Sequence, residues 1–134
     1  MSSSPLVLNP ACIKTLSAVE AHPSRSNQHE FNGVVELKKI FGLSGFSRSA
    51  KFSIRGTKIS TDADVTWYDA RVSHPTRTEH RLYFQTNAVM SHAHEGANII
   101  VGFDANSNLH IVLILQGAAG HNSNISGWQT IQSD

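Results

Sequence analysis

The sequence predicts a mostly-β or α+β domain with a barrel-like sheet and one or two short helices. Short alternating or β-branched apolar runs recur along most of the chain, turn sequences separate them, and strands and helices do not alternate as in a βαβ protein. A chain of 134 residues suffices for one ordinary domain with a buried core. We expect residues 1–10 to form a flexible lead-in and residues 11–134 to form that single domain.

One helix has a clear amphipathic pattern, from Gly33 to Gly42. Its apolar residues fall on one face of a 3.6-residue period: Val34, Leu37, Ile40 and Phe41. Gly42 suits the left-handed conformation that ends many helices. A second, short helix is expected within residues 87–95. Residues 9–21 fit either a weak helix or a short strand, and the pattern does not decide between them.

Strand patterns fill most of the remaining chain. The expected strands lie within residues 52–59, 65–72, 82–84, 98–103 and 109–115. The last two are β-branched runs on either side of Asp104-Ala-Asn-Ser-Asn108, which is a strong hairpin signal. Residues 24–32 are polar and rich in hydrogen-bonding side chains, so we expect a loop there.

The distribution of charge is more informative than the net charge of +1. All eleven Lys and Arg residues lie between Lys14 and Arg81, so that residues 1–81 carry +4 and residues 82–134 carry −3. Such an asymmetry favours a basic surface that faces an anionic partner. A solvated surface with a random skew of charge explains the numbers equally well.

The chain has a single cysteine, Cys12, which rules out an internal disulfide and fits a reducing compartment. No apolar run approaches the length of a membrane span. The first five residues are Ser-rich and lack the basic and apolar regions of a signal peptide. We therefore expect a cytoplasmic protein with no membrane partner.

Residues 69–81 concentrate three Arg, two His, one Glu and one Asp within thirteen positions. The guanidinium group pairs with guanine or with phosphate, and a carboxylate accepts from the cytosine amino group. The candidate binding residues here are Arg71, His74, Arg77, Thr78, Glu79, His80 and Arg81. The alternative is a strand edge whose charges pair with one another.

A second polar stretch, residues 25–32, offers a dense set of groups that hydrogen-bond to base edges. Amide side chains recognise adenine, and Arg and His recognise guanine. The candidates are Arg25, Asn27, Gln28, His29, Glu30 and Asn32. The commoner alternative is a plain polar loop before the helix, with Asn32 as its N-cap.

None of the catalytic patterns in the sequence is complete. The triplet Glu36-Leu-Lys38 lacks the upstream Asp that a nuclease needs to hold Mg²⁺. His92 and His94 have no third ligand at metal-binding spacing. Cys12 has no patterned His partner and is expected in the core. We therefore expect neither catalytic activity nor a metal or other cofactor in this chain.

Several segments, taken in order, resemble the N-terminal, effector-binding domain of EcoRII-type restriction endonucleases. They are residues 13–18, 26–33, 34–41, 66–71, 77–83 and 95–100, with the hairpin up to Leu115. The resemblance covers residues from about 12 to 115. No single segment is diagnostic, and the order and spacing of all of them make the match specific.

The resemblance implies a B3-like DNA-binding pseudobarrel, in which two arms clasp the major groove. The N-terminal arm would match residues 24–32, and the C-terminal arm residues 71–81. Arg77, Glu79, His80 and Arg81 occupy positions that carry DNA contacts in that family. The family often has Lys where this chain has Pro75 and His80, and this departure weakens the assignment of those two positions.

The resemblance also implies a function: sequence-specific recognition of double-stranded DNA at CC(A/T)GG-like sites, within a type II restriction endonuclease of bacterial type. The partners would be duplex DNA and a nuclease domain C-terminal to this one. The nuclease domain is absent from this chain, and Mg²⁺ is expected only there. The base sequence and the oligomeric state do not follow from these residues alone.

Lys51 is expected to contact phosphate and thereby to fix the position of the protein on DNA. Arg48, Arg55 and Lys58 are further candidates for the same role. Such contacts contribute affinity without sequence preference.

Three other functions remain open from the residues alone. An aromatic cluster, Trp67, Tyr68, Tyr83 and Phe84, could stack on unpaired bases, although its position within strand-like runs favours core packing. A ligand-binding barrel, for example for carbohydrate, could use the polar loops, but the Arg density is evidence against it. A small enzyme based on His92, His94 or Glu95 has the weakest support.

Overall fold

The computed structural model describes residues 8, 10–16, 30–33, 35–42, 44–69, 80–85, 87–118, 121 and 129–131. These residues form eight β-strands and one α-helix. The strands are β1 (Ala11–Thr15), β2 (Glu30–Gly33), β3 (Phe46–Ile54), β4 (Ser60–Asp69), β5 (His80–Phe84), β6 (Asn98–Phe103), β7 (Leu109–Ile114) and β8 (Gln129–Ile131). The helix α1 spans Val35–Phe41, and a 3₁₀ turn spans Met90–His92. In these ranges no helix is long and apolar enough to cross a membrane.

The eight strands form one sheet in the order β2-β5-β4-β3-β7-β6-β1-β8. All pairings are antiparallel except that of β3 with β7, which is parallel. Helix α1 contacts both β1 and β2, which lie far apart in this order. The sheet must therefore curl, and α1 lies across its opening. The fold is the mostly-β, barrel-like one that the sequence predicts, with one short helix.

Alternation along β3, β4 and β5 separates an apolar inner face from a polar outer face. On β4, Ala63, Val65 and Trp67 are buried while the residues between them are exposed or half-buried. The inner face joins side chains from β1, β6, β7 and α1 in one core, whose largest fully buried members are Trp67, Phe52 and Phe84. Cys12 belongs to this core, as predicted.

The opposite face of β1, β6 and β7 is apolar as well. Ile13, Ile100, Val112 and Ile114 form a second buried cluster there, and Leu8 packs into it. Strands β6 and β7 are consequently buried on both faces, which explains their continuous β-branched sequences.

The predicted hairpin between β6 and β7 is confirmed. The Asp104 carboxylate accepts from the backbone N–H groups of Asn106 (2.8 Å) and Asn108 (3.0 Å) and so closes the turn. The Asp104 N–H donates to the Asn108 carbonyl at 3.0 Å, which leaves residues 105–107 as a three-residue loop. Ser107, at its last position, has φ 64°, the left-handed conformation that such a loop requires.

Several sequence-based boundaries differ from the structure. Helix α1 begins at Val35, and Gly33 belongs to β2. Residues 30–32 were expected in a loop and instead form most of β2, because they pair with β5. The short helix expected within residues 87–95 is only the 3₁₀ turn. The ambiguous segment 9–21 contains strand β1, stabilised by pairing with β6 and β8.

We predict that Gly102→Ala destabilises the fold by about 1–3 kcal/mol, the usual cost of overpacking. A Cβ atom at Gly102 would lie 2.7 Å from the Ala11 Cβ and 2.8 Å from the Pro10 carbonyl oxygen, where β1 pairs with β6. Urea denaturation measures the change in the free energy of unfolding. Ser49→Ala, at an exposed position on β3, is the control; equal stability of the two variants would contradict the assigned packing.

Candidate nucleic-acid interface

The structure describes five of the predicted DNA-binding residues: Glu30, Asn32, Lys51, His80 and Arg81. The others lie outside the described residues, and their roles stay predictions: Arg25, Asn27, Gln28, His29, Arg71, His74, Arg77, Thr78 and Glu79.

The described ends of the two predicted arms meet in one ladder. Strand β2 pairs with β5, so that Asn32 lies opposite Arg81, Glu30 opposite Tyr83, and Gly33 opposite His80. The N-terminal arm joins this ladder at Glu30 and the C-terminal arm joins it at His80. These positions lie at opposite ends of the ladder, about 10 Å apart for three antiparallel steps.

His80 is buried rather than presented to solvent. The residue is 2 % exposed, and its ring stacks on that of Trp67, with 5.1 Å between centroids and 27° between planes. His80 therefore packs in the protein interior at the start of β5. A base contact would require it to leave that position.

Trp67 fixes the end of β4 beside the C-terminal arm. Its indole Nε1 donates to the Gly42 carbonyl at 3.0 Å, just after α1, and its ring lies 5.0 Å from that of Phe41. A Cβ at Gly45 would lie 2.8 Å from the Trp67 carbonyl oxygen, so glycine permits the close approach of the chain before β3. The helix end, β4 and β5 are therefore held together at the base of this arm.

The outer face of the sheet is defined here by the residues of β3, β4 and β5 that point away from the core. On β5 these are Arg81 and Tyr83, with Gln85 continuing beyond the strand, while Leu82 and Phe84 are buried. The remaining members are Ser47, Ser49, Lys51, Ser53, Ser60, Asp62, Asp64, Thr66 and Tyr68.

Lys51 lies far from the arms on this outer face. It is exposed, opposite Asp62 on β4 and beside His110 on β7. Arg81 lies opposite Tyr68, six residues along β4 from Asp62, which corresponds to about 20 Å. The structure thus does not bring Lys51 together with Arg81 and Asn32.

The described part of the outer face carries nearly balanced charge. Lys51 and Arg81 are matched in number by Asp62 and Asp64, and Arg48, which lines both depressions on this face, adds a single positive charge. This face is therefore not a strongly basic surface by itself. Positive charge for a phosphate backbone would have to come from the arms, which contain Arg25, Arg71 and Arg77.

The other predicted phosphate contacts occupy different places. Arg48 donates from Nη2 to the Ser107 carbonyl at 2.9 Å, and its guanidinium carbon lies 5.5 Å from the Phe103 ring centroid. It thus anchors the β6–β7 hairpin. Arg55 and Lys58 are exposed at the β3–β4 turn, at the far end of β4 from the C-terminal arm.

Two depressions lie on the outer face. One, of about 450 Å³, is bordered by Lys51, Asp62, Asp104 and His110. The other, of about 360 Å³, is lined by Ser47, Arg48, Asp64, Thr66, Tyr83 and Gln85, and we call it the Tyr83 pocket. The sequence placed Tyr83 in an aromatic cluster that could stack on bases, with core packing favoured. Its polar neighbours two positions away, Arg81 and Gln85, were the available sign that it faces outward.

Asp104 and His110 form a pair in the first depression, with 2.8 Å between Oδ2 and Nε2. The backbone N–H of Asn108 and the His110 side chain hold the pKa of Asp104 well below its ordinary value, and they outweigh the opposing effect of burial. The carboxylate is therefore ionised throughout the physiological range.

Within the described ranges, no three His, Cys, Asp or Glu residues lie close enough together to hold a metal ion. His92 is exposed, and the half-buried His94 places its Nδ1 3.0 Å from the Glu95 carbonyl oxygen. These two histidines therefore do not converge on a described third ligand.

No protein-family model matches the chain, and no curated protein matches it in sequence.

We predict that Asp104→Asn lowers stability near neutral pH and that the difference from the wild type shrinks as the pH falls below about 4. A carboxyl whose pKa is depressed on folding stabilises the protein above its ordinary pKa of 3.8, and this contribution is lost as the pH falls toward the depressed value. Urea denaturation of both proteins at pH 6, 4 and 2 measures the difference between their free energies of unfolding. A difference that stays constant over this range would contradict the assigned hydrogen bonds.

Proposed function

We propose that this protein is a sequence-specific recognition module for double-stranded DNA, which it grips with residues 24–32 and 71–81. The observation that carries the proposal is the β2–β5 ladder. It ties the described ends of both segments to neighbouring strands, with Asn32 opposite Arg81. In this proposal the two polar segments, far apart in sequence, form one surface.

The spacing of the two arms suits the major groove. Their attachment points are separated by about 10 Å along the ladder. The major groove of B-DNA is about 12 Å wide, and it carries the pattern of donors and acceptors that distinguishes all four base pairs. Two arms that start at this separation can approach base edges from opposite sides of the groove.

Charge divides the roles of the arms and the sheet. The arms contain Arg25, Arg71 and Arg77, whereas the described outer face is nearly neutral. The arms would supply phosphate contacts as well as base contacts. Lys51 lies about 20 Å from Arg81, so it would contact DNA only at the edge of such an interface.

The resemblance to EcoRII-type enzymes supports a narrower form of the proposal. In that form the module binds a CC(A/T)GG-like site and delivers or activates a C-terminal nuclease domain, which would hold Mg²⁺. A mostly-β curled sheet with one short helix is the architecture that this resemblance implies. The chemistry of cleavage would lie in the nuclease domain, and the module itself would bind DNA.

The direct test is fluorescence anisotropy with a duplex that carries CC(A/T)GG, a scrambled duplex and the matching single strand, each at roughly 50 and 200 mM salt. The proposal expects the tightest binding to the first duplex and a steep loss of affinity at the higher salt concentration. Equal binding to both duplexes would contradict the assignment of a CC(A/T)GG-like site as the target. No binding to either duplex would refute the function.

We predict that Arg81→Ala weakens binding to the specific duplex by about 1–3 kcal/mol, the cost of one lost bidentate base contact, while binding to the scrambled duplex changes less. Lys58→Ala is the control, since it removes a cation at the β3–β4 turn, about 30 Å along β4 from the C-terminal arm. Anisotropy titrations measure the affinity of both variants for both duplexes. An equal loss of affinity for the specific duplex in the two variants would refute a specific role for Arg81.

A further inference from the structure

The Tyr83 pocket is formed where three strands present side chains on the outer face. Ser47, Thr66 and Tyr83 lie side by side on β3, β4 and β5, and the Ser47 and Thr66 hydroxyls are 3.1 Å apart. Gln85 borders the pocket just after β5, where its Oε1 accepts from the backbone N–H of Asp64 at 2.9 Å. The volume of about 360 Å³ is near the lower end of the range for small-ligand sites, so it suits a single ring.

Tyr83 contributes an exposed aromatic ring to this pocket. The residue is 40 % exposed, whereas Leu82 and Phe84 on either side of it are buried in the core. The face of an aromatic ring carries the negative part of its quadrupole and attracts the weakly positive hydrogens of C–H groups. A ligand with an apolar face of C–H bonds can therefore pack on Tyr83.

Two opposite charges border the same pocket. Asp64 is exposed on β4, one row away from Tyr83, and Arg48 lines the pocket from β3. An anionic ligand is repelled by the carboxylate and a cationic ligand by the guanidinium, and like charges brought together are costly. The two charges also cancel within the lining. The pocket therefore favours an uncharged ligand.

The polar groups of the lining both donate and accept hydrogen bonds. A guanidinium only donates, a carboxylate only accepts, and hydroxyls do either. Within the described ranges no hydrogen bond occupies the Asp64 carboxylate or the Tyr83 phenol. Arg48 gives one N–H to the Ser107 carbonyl and has further N–H groups. A ligand rich in hydroxyls matches such a lining, because each hydroxyl can donate to one group or accept from another.

We propose that the Tyr83 pocket binds the ring of a neutral hexopyranose sugar. The sugar packs the C–H bonds of one face on Tyr83, and its hydroxyls bond to Asp64 and Arg48. A nucleobase also stacks on tyrosine, but it has few polar groups, and each has a fixed role as donor or acceptor. Every hydroxyl of the sugar can serve either the carboxylate or the guanidinium, which is what favours the sugar.

This site is separate from the proposed DNA interface. The residues that line the pocket lie outside residues 24–32 and 71–81, which are the predicted arms. Sugar binding therefore goes beyond the proposed function and does not depend on it. The two can succeed or fail independently.

The test on the full chain is ligand-observed saturation-transfer NMR. The probes are the methyl glycosides of glucose, galactose and mannose, with sorbitol, cytidine and uridine for comparison. We expect transfer to the ring C–H protons of at least one glycoside, none to sorbitol, which has hydroxyls but no ring, and at least about fivefold weaker binding of both nucleosides. No transfer to any glycoside, equal transfer to sorbitol, or nucleosides that bind as tightly as the glycoside would each overturn the proposal.

Variants separate stacking from hydrogen bonding. Tyr83→Ser should weaken glycoside binding at least about fivefold, and Tyr83→Phe, which keeps the ring, should retain most of it. Asp64→Asn should weaken binding at least about threefold, because it removes a charged acceptor. Asp62→Asn is the matched control, since Asp62 lies on the same strand and face but outside this pocket. A loss in the control, or none in Tyr83→Ser or Asp64→Asn, would overturn the assignment.

Charged sugars test the neutrality of the ligand. Glucuronate and glucosamine should each bind at least about threefold more weakly than the neutral glycoside, and tighter binding of either would overturn the proposed ligand class. Anisotropy with the CC(A/T)GG duplex distinguishes the two proposals. If glycosides bind but no duplex does, the pocket stands and the proposed function fails; if duplex binds but no glycoside does, the pocket fails alone.

Discussion

The packing of Trp67 is the interaction on which the candidate interface depends. Its indole donates to the carbonyl that follows α1 and packs on Phe41, and it stacks on His80 at the start of β5. The ring thus joins the helix to both strands that flank residues 70–79. Because β5 also pairs with β2, the same contacts set the base of the other predicted arm. A long polar connection can vary without disturbing the core only if its two ends are held in this way.

The outer face and the arms have complementary properties. The described face is polar, nearly neutral and shallowly indented, and its polar groups are hydroxyls, an amide and carboxylates with the separated cations Arg48, Lys51 and Arg81. Such a surface suits short-range recognition of a ligand edge more than attraction of a polyanion. The predicted arms hold the Arg residues that attraction needs. Affinity and local recognition would then come from different parts of one surface.

The sequence predicted the fold class, helix α1 and the β6–β7 hairpin, because amphipathic periodicity and turn chemistry act locally. It did not predict β2, a polar segment whose strand conformation comes from pairing with β5, about fifty residues away in the chain. Nor did it predict the burial of His80, which depends on the tertiary contact with Trp67. For Tyr83, its position within a strand-like run favoured core packing, and the structure shows that it faces outward while Leu82 and Phe84 are buried.

The central claim is that DNA binds along the β2–β5 edge of the sheet. The most direct measurement is NMR mapping of backbone amide shifts on addition of a CC(A/T)GG duplex. We predict that the largest changes fall in residues 24–33 and 69–85, while the β3–β4 turn and the amides of β6 and β7 change little. Changes concentrated at that turn, or spread evenly over the sheet, would contradict the account.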